Sequence, residues 1–395
     1  MNILFYTFSE VSPTKGGTER ITSTIAMQLQ HIYGIQCYSI YTNPLSDELE
    51  KTLFVATQQI VLDQTFEKSL YEFIKKYDID IIINQGYFEL TKRIRHVLNM
   101  FNGRFLITVL HFNPGVINYQ PRSHNLIWNI KHKDKILKNC IKLIFLPLIK
   151  YYIRRKGMNA YHMGYIYSDK VVLLSNNFLN EFKHYAYLKD TEKIVSIPNA
   201  LSFNTFFNIS EYYIKKKEVL IVSRFDETQK RISLALRIWT MIEQQPSLND
   251  WNLIIVGHGD EYEDEYKKIV KTKKMKRVLF KGRQNPIPYY RRASIFLMTS
   301  LFEGWGLTLT EAQQYGVVPI AFNSYASLSD IITDGENGFI IPNNNLQIYV
   351  NKLMYLMQNE NKRIYMATKA IQSSKRFEIN KICNDWVELF KSLKG

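Results

Sequence analysis

The sequence contains little cysteine: Cys37, Cys140 and Cys383 are the only three among 395 residues. They are far apart and show no metal-ligand spacing. This argues against a disulfide framework and a cysteine-bound zinc ion, and it fits a reducing compartment. Acidic residues likewise form no cluster with the spacing of metal ligands. We therefore expect the protein to work without a metal ion.

Long apolar runs are also absent. No uncharged stretch reaches the roughly 18 residues that a membrane-spanning helix needs. The N-terminal apolar run ends by Phe8 and meets Glu10, so it is too short for a signal peptide. We expect a cytoplasmic protein.

Acidic residues are scarce relative to basic ones: 36 Asp and Glu stand against 51 Lys and Arg, for a net charge of +15. Such an excess indicates an anionic partner, namely a nucleotide, a phospholipid or nucleic acid. No recognised nucleic-acid motif accompanies the charge, so we expect no nucleic-acid binding. With 46% apolar and 22% charged residues the chain is globular. Its length suits two domains of about 200 residues each.

The sequence does contain a strand–loop–helix–strand unit in its second half. The apolar stretches 293–299 and 317–322 predict buried strands, and a short helical segment between them, residues 312–315, ends at Gly316. Such a unit implies a parallel sheet, whose ligands bind at the carboxyl ends of the strands. The loop after the first strand lies at such an end.

Two glutamates mark this loop. Glu303 and Glu311 are eight residues apart, which on one helix would leave them about 80° out of register. With Glu303 in the loop and Glu311 in the first helical turn, both would face the same cleft. Gly304 and Gly306 allow close backbone approach to a ligand, and the amides of residues 305–308 would point at an anion. The alternative is that a carboxylate in the first turn only complements the helix dipole.

Residues 302–307, Phe-Glu-Gly-Trp-Gly-Leu, followed by Glu311-Ala312, closely resemble the E-x7-E signature of retaining glycosyltransferases of the GT-B type. The family most resembled is family 4 (glycosyl transferases group 1), which builds bacterial surface polysaccharides such as lipopolysaccharide and capsule. Trp305 stands where that family usually has Phe. The resemblance implies an α/β fold of two Rossmann-like, doubly wound parallel-sheet domains facing across a cleft. It also implies a C-terminal helix that crosses back to the first domain.

The alternation of predicted strands and helices, with a polar stretch after residue 200, sets the domain limits. We predict an acceptor-side N-terminal domain over 1–203 and a linker over 204–217. A nucleotide-sugar-binding domain over 218–375 and a return helix over 376–395 follow.

In the N-terminal domain, Gly16 and Gly17 lie where the first strand gives way to a helix. Adjacent glycines let the backbone close on an anionic group, and an ordinary flexible turn is the alternative. The resembled family shows Gly-Gly-x-Glu here, facing the donor diphosphate and the acceptor. His111 ends the strand predicted at 105–110, where the resemblance implies contact with the sugar near its reacting carbon; a structural histidine is the alternative. The six-residue dinucleotide fingerprint is absent, so we expect no nicotinamide cofactor.

In the second domain, Arg224 and Lys230 follow a predicted strand. Two cations at a strand's carboxyl end suit a diphosphate, and solvated surface charge is the alternative. The Arg-x5-Lys spacing matches the phosphate-binding pair of the resembled family, although Arg231 stands where that family often has Gly. Gly257 lies in a Gly-x-Gly turn that the family shares, with Asp260 where Pro is common.

The resemblance also implies the role of each residue. Glu311 would accept hydrogen bonds from the ribose hydroxyls, and Glu303 would contact the donor sugar. Arg224 and Lys230 would stabilise the leaving diphosphate, which makes a metal unnecessary. The donor would be a UDP- or GDP-linked sugar, with no other cofactor, and its sugar would be transferred by a front-side mechanism. The backbone that would orient the donor belongs to Gly304, Trp305, Gly306, Leu307 and Thr308.

The segment 131–156 carries nine Lys or Arg and one Asp, interleaved with aromatic and aliphatic side chains. Such a segment suits the headgroup region of an anionic leaflet, which would place the protein peripherally on the inner face of the cytoplasmic membrane. A lipid-linked saccharide acceptor would explain it. The alternative is a helix with its apolar side turned inward and its lysines outward.

Two other functions fit the same architecture. One is a nucleotide-sugar epimerase or hydrolase, and the other is a binding protein that keeps the fold without catalysis. Product analysis with and without an acceptor separates the first from a transferase. Loss of Lys230 or Glu311 would argue for the second, and both residues are present.

Overall fold

The computed structural model describes residues 1–12, 16–44, 54–118, 136–259 and 262–394. The chain divides into two compact units. The first comprises Met1–Ser202 together with Phe377–Gly395, and the second comprises Phe203–Arg376. The stretch predicted as a linker, 204–217, lies in the second unit, where Ile209–Ile214 form a 3₁₀ helix.

The described part of the chain forms strands and α-helices, most of them in alternation. The strands are β1 (Asn2–Ser9), β2 (Gln36–Asn43), β3 (Thr57–Gln59), β4 (Ile81–Asn84), β5 (Phe105–Leu110), β6 (Lys170–Leu173), β7 (Ile194–Ser196), β8 (Glu218–Val222), β9 (Asn252–Val256), β10 (Val278–Phe280), β11 (Ile295–Met298), β12 (Val318–Asn323) and β13 (Phe339–Pro342). The helices are α1 (Gly17–Tyr33), α2 (Phe66–Tyr77), α3 (Thr91–Leu98), α4 (Ile136–Ile144), α5 (Leu146–Tyr167), α6 (Leu179–Tyr185), α7 (Ile232–Glu243), α8 (Glu263–Thr272), α9 (Ile287–Arg292), α10 (Leu307–Gln314), α11 (Leu328–Ile331), α12 (Leu346–Gln358), α13 (Glu360–Ser374) and α14 (Ile379–Lys394).

The first unit is built on a parallel sheet in the order β3-β2-β1-β4-β5-β6-β7. Its central strands are continuous apolar runs, as expected for strands covered by helices on both faces. Ile81, Ile82 and Ile83 of β4, for example, are completely buried. The strand order reverses between β1 and β4, so the loops after these strands diverge and leave a crevice at the carboxyl edge.

The last helix belongs to the first unit, as the resemblance predicted. Helix α14 packs against α1, and its apolar face, including Cys383, Trp386 and Phe390, is buried. The Nζ of Lys394 lies 2.8 Å from Oδ1 of Asp80, at the amino-terminal end of β4. The chain therefore returns from the second unit to complete the first.

The second unit repeats the plan with the parallel order β10-β9-β8-β11-β12-β13. Its strand order reverses between β8 and β11. The prediction of two doubly wound α/β domains with parallel sheets is confirmed. In the described residues, none of the helices combines the length and apolar content that a bilayer crossing needs.

Candidate active site

The loops that follow β8 and β11 meet at the point where the strand order of the second unit reverses. Lys230 comes from the first loop and Glu303 from the second, and Lys230 Nζ lies 2.6 Å from Glu303 Oε1. Their side chains are only 19% and 9% exposed. The geometry thus joins one member of the predicted phosphate-binding pair to the first glutamate of the E-x7-E pattern.

Gln229 holds the second oxygen of this carboxylate. Its Nε2 donates to Glu303 Oε2 and to the carbonyl of Phe302, both at 3.3 Å. The amide of Leu301 in turn donates to the Gln229 carbonyl at 2.7 Å. Sequence reasoning missed Gln229, although its place immediately before Lys230 in a basic loop was a usable signal. A buried amide there fixes Glu303 in one orientation.

Arg224 lies in the same loop but is much more exposed. Its Nη2 is 3.5 Å from Gln229 Oε1 and 3.6 Å from Asp226 Oδ2. With 67% of its side chain exposed, the guanidinium can turn toward an anionic ligand, since ion pairs at the surface are worth little.

Arg231 adopts a left-handed backbone conformation, with φ at 51°. It immediately precedes α7, where the chain must turn sharply, so a glycine would fit without strain. Its guanidinium offsets that strain: Nε donates to the Thr299 carbonyl at 2.6 Å, and Nη2 to the Ser300 carbonyl at 3.1 Å. Arg231 therefore ties the loop bearing Lys230 to the strand end that leads to Glu303.

The helix bearing Glu311 begins earlier than the sequence predicted. Helix α10 starts at Leu307, because Gly306 at φ 96° ends the loop. Glu311 is therefore the fifth residue of the helix and lies in its second turn, so the prediction of the first turn was wrong. The carboxylate is completely buried, and its Oε2 accepts a hydrogen bond from the Tyr290 hydroxyl at 3.0 Å. Sequence reasoning did not single out Tyr290.

The amino terminus of α10 lies at the carboxyl edge of the sheet. Gly306 precedes it with no side-chain cap, and a Cβ there would come 3.2 Å from the Tyr325 hydroxyl. The first amides of an α-helix, here those of Leu307 and Thr308, have no acceptor within the helix and carry partial positive charge. Nearby, Trp305 is buried, and the Gly304 carbonyl accepts from Ser327 Oγ at 3.1 Å.

Close packing explains why position 257 is a glycine. It follows β9 with φ at 146°, and a Cβ would fall 1.7 Å from the Ser223 carbonyl oxygen. The loops after β8 and β9 therefore pass too closely for any side chain at this position. Asp260, the departure from the family pattern, lies outside the described residues.

The first unit has its own group of candidates at its carboxyl edge. Gly16, with φ at 40°, immediately precedes Gly17, the first residue of α1. His111 follows β5, and its Nε2 is hydrogen-bonded to the side chain of Gln85, which follows β4. Burial lowers the pKa of His111 to about 4, so its imidazole is neutral at pH 7. The roles predicted for Gly16, Gly17 and His111 in the reaction remain predictions.

Among the described residues, no group of three or more His, Cys, Asp and Glu side chains could hold a metal ion.

Comparison with protein families and curated proteins points to one class of enzyme. Residues 202–373 match the family model "Glycosyl transferases group 1". The chain is 26% identical over 378 residues to an uncharacterised glycosyltransferase of Haemophilus influenzae, covering 94% of this chain and 95% of that relative. It is 23% identical over 377 residues to the amylovoran biosynthesis glycosyltransferase AmsD of Erwinia amylovora, covering 95% of each.

A third relative matches a shorter region. It is the GalNAc-alpha-(1->4)-GalNAc-alpha-(1->3)-diNAcBac-PP-undecaprenol alpha-1,4-N-acetyl-D-galactosaminyltransferase of Campylobacter jejuni, 26% identical over 211 residues, with 53% of this chain and 57% of the relative covered. Together with the family match, the names of these relatives support a transferase.

Among solved structures, Anabaena Alr3699/HepE in complex with UDP-glucose matches with a TM-score of 0.72 at 17% identity. The match covers 99% of this chain and 100% of that chain. At this identity the likeness shows the fold, and the predicted GT-B fold class is confirmed.

Proposed function

We propose that the protein is a retaining glycosyltransferase of the family 4 type, a hexosyltransferase that uses the E-x7-E glutamates Glu303 and Glu311. It moves a sugar from a nucleotide-sugar to a hydroxyl of a saccharide acceptor in the synthesis of cell-surface polysaccharide. The observation that carries the proposal is the Lys230–Glu303 pair beside the amino terminus of α10. A cation, a fixed carboxylate and uncapped helix amides at one sheet edge suit a sugar diphosphate.

The diphosphate is bound by the positive groups of this edge. Lys230 lies next to the sugar-contacting carboxylate, and the exposed Arg224 closes over the phosphates from the same loop. The first amides of α10 add partial positive charge. These groups stabilise the nucleoside diphosphate as it leaves with extra negative charge, so the transfer proceeds without a metal ion.

The two glutamates bind different parts of the donor. Glu303, held by Lys230 and Gln229, accepts hydrogen bonds from hydroxyls of the donor sugar. Glu311, hydrogen-bonded to Tyr290, accepts from the ribose hydroxyls. Neither acts as a nucleophile, because each already has a binding role on the donor.

The reaction follows a front-side course. The bond between the anomeric carbon and the diphosphate oxygen breaks while the acceptor oxygen bonds to the same face of that carbon. The acceptor hydroxyl proton passes to the departing diphosphate. The products are a glycoside of retained configuration and a nucleoside diphosphate, and no oxidant, reductant or further cofactor takes part.

A lipid-linked saccharide is the proposed acceptor. One relative carries an undecaprenol-linked saccharide in its name, which supports the choice for a chain that resembles it over about half its length. The segment 131–156, which is basic and rich in apolar side chains, is a second support.

The test is product analysis with a panel of UDP- and GDP-sugars, with and without a short saccharide acceptor. We expect a new glycoside only when acceptor is present, and we expect its NMR spectrum to show the retained anomeric configuration. A changed sugar or free sugar formed equally well without acceptor would identify an epimerase or a hydrolase. Donor binding with no product would support a binding protein.

A further inference from the structure

Helices α4 and α5 of the first unit turn an apolar surface outward. Between residues 137 and 152, seven apolar or aromatic side chains of these helices are 47% to 75% exposed. We call them the outer stripe: Leu137, Ile141, Ile144, Phe145, Leu148, Tyr151 and Tyr152. Residues 131–135, which the predicted segment 131–156 also includes, lie outside the described residues. The alternative of a helix with its apolar side inward is therefore wrong for these seven side chains.

The stripe is continuous along the two helices. The amide of Phe145 donates to the Ile141 carbonyl at 3.1 Å, and that of Ile149 to the Phe145 carbonyl at 3.0 Å, so helical hydrogen bonding crosses the junction. At 100° per residue, the seven side chains occupy a sector of about 120°. The opposite side faces the protein, where Asn139 and Tyr161 are buried.

The charge around the stripe has one sign. From 136 to 156 the sequence has six Lys or Arg and no Asp or Glu. Lys138 and Lys142 lie along one edge of the stripe, and Arg155 lies at its carboxyl end, where its Nη1 donates to the Tyr151 hydroxyl at 3.2 Å. Lys156 pairs with Glu89 at 3.2 Å, so that cation is partly neutralised.

We infer that the outer stripe is a docking face for an anionic lipid bilayer. Its aliphatic side chains enter the boundary between headgroups and acyl chains, where Tyr151 and Tyr152 also find a favourable environment. The flanking lysines reach the lipid phosphates. The helices lie on the membrane surface and do not cross it.

Charge favours a bilayer over a second copy of the chain. A two-fold interface through the stripe would bring the basic residues around it, among them Lys138, Lys142 and Arg155, close to the same residues of the other copy. Residues 136–156 supply no acid to pair with them. An anionic leaflet is complementary to both the apolar and the basic part of the surface. The inference does not depend on the proposed reaction, because a lipid surface would bind the stripe whatever the second unit catalyses.

The experiment is flotation with vesicles of phosphatidylcholine alone or of phosphatidylcholine and phosphatidylglycerol in equal parts. We expect the full chain to float with the mixed vesicles only. The double variant Ile144→Gln/Leu148→Gln should bind at least about tenfold more weakly. Lys138→Gln/Lys142→Gln should lose about fivefold for each lysine and show less dependence on salt.

Matched controls are Ile32→Gln on α1 and Lys68→Gln on α2, both exposed positions in the first unit. Both should float like the parent. Nucleotide binding by the stripe variants, measured separately, should equal that of the parent, so failure of the docking inference is distinguishable from failure of the proposed function. Equal binding to both vesicles, no binding, or parent-like binding by the stripe variants would overturn the inference. So would a dimer that the stripe substitutions dissociate, in a chain that does not float.

Discussion

Lys230 and Glu303 are 73 residues apart in the chain, yet Lys230 Nζ and Glu303 Oε1 lie 2.6 Å apart. The contact exists because β8 and β11 are neighbours, so the loops after them meet where the strand order reverses. Both charges are largely removed from water, and Gln229 supports the carboxylate from the other side. The pair therefore serves stability, and it fixes the relative positions of two groups that we propose bind the donor.

Removal of Lys230 should destabilise the second unit. Lys230→Met leaves the Glu303 carboxylate buried without its cation, and we expect the free energy of unfolding to fall by about 3 kcal/mol in urea titrations. Lys230→Met/Glu303→Gln should recover part of this loss, with a coupling energy of about 1–3 kcal/mol. Lys217→Met breaks the half-exposed pair with Asp250 and should cost less than about 1 kcal/mol. Strict additivity in the double variant would contradict a coupled pair.

Arg231 should resist replacement by glycine. Arg231→Gly relieves the left-handed backbone but removes the guanidinium bonds to the Thr299 and Ser300 carbonyls. These losses outweigh the gain, so we expect the free energy of unfolding to fall by about 2 kcal/mol. Arg237→Ala, at an exposed position on α7, is the control for loss of a surface arginine. A glycine variant more stable than the parent would show that strain dominates.

Substitutions at Glu311 and Lys230 should act on different parts of the nucleotide. Glu311→Ala should weaken binding of the free nucleoside as well as of the diphosphate, because both contain the ribose. Lys230→Ala should weaken diphosphate binding by about tenfold or more and leave nucleoside binding unchanged. Calorimetric titration with the nucleoside and with the nucleoside diphosphate measures both affinities. If each variant lost the same affinity for both ligands, the separate roles of Glu311 and Lys230 would be contradicted.

Tyr290 should influence the ribose site through Glu311. Tyr290→Phe keeps the ring but deletes the hydroxyl that donates to Glu311 Oε2 at 3.0 Å. We expect a loss of about 1–2 kcal/mol in unfolding free energy, with weaker nucleoside binding. Tyr289→Phe, the neighbouring residue whose hydroxyl donates to Gln284 instead, is the matched control. Unchanged nucleoside binding in Tyr290→Phe would show that its hydroxyl serves structure alone.

His111 should make the stability of the first unit depend on pH. Burial lowers its folded-state pKa from 6.5 to about 4. Between these values the unfolded chain binds a proton that the folded chain does not, so stability rises with pH and is lost as pH falls toward 4. Unfolding free energies at pH 7 and pH 4 should differ by about 3 kcal/mol more in the parent than in His111→Gln. The same pH slope in both proteins would contradict this.

Local sequence patterns were sufficient to predict the parts of the fold that depend on local chemistry. The buried run Ile81–Ile83 and the apolar stretch before Glu303 are strands because every side chain in them can be buried. The same kind of pattern placed Arg224 and Lys230 after β8, and Glu303 after β11. Their mutual contact did not follow from the pattern, because it depends on which strands are neighbours in the sheet.

Other features could not be predicted from the pattern. The start of α10 depends on the left-handed backbone conformation of Gly306. Because the helix begins directly after this residue, Glu311 lies in the second turn and not in the first. The support given by Gln229 and Tyr290 comes from residues distant in the chain. Likewise, the spacing of Leu137, Ile141 and Ile144 indicates an apolar face but not which side the rest of the protein covers.

We propose a nucleotide-sugar site built on Lys230, Glu303 and Glu311. It is tested most directly by the thermal unfolding midpoint across a panel of UDP-, GDP- and ADP-sugars, repeated with Lys230→Ala and Glu311→Ala. Each variant is compared with its own ligand-free midpoint. We expect the sugars of one nucleotide to raise the midpoint of the parent and of neither variant. A shift that survives in both variants, or no shift with any donor, would contradict it.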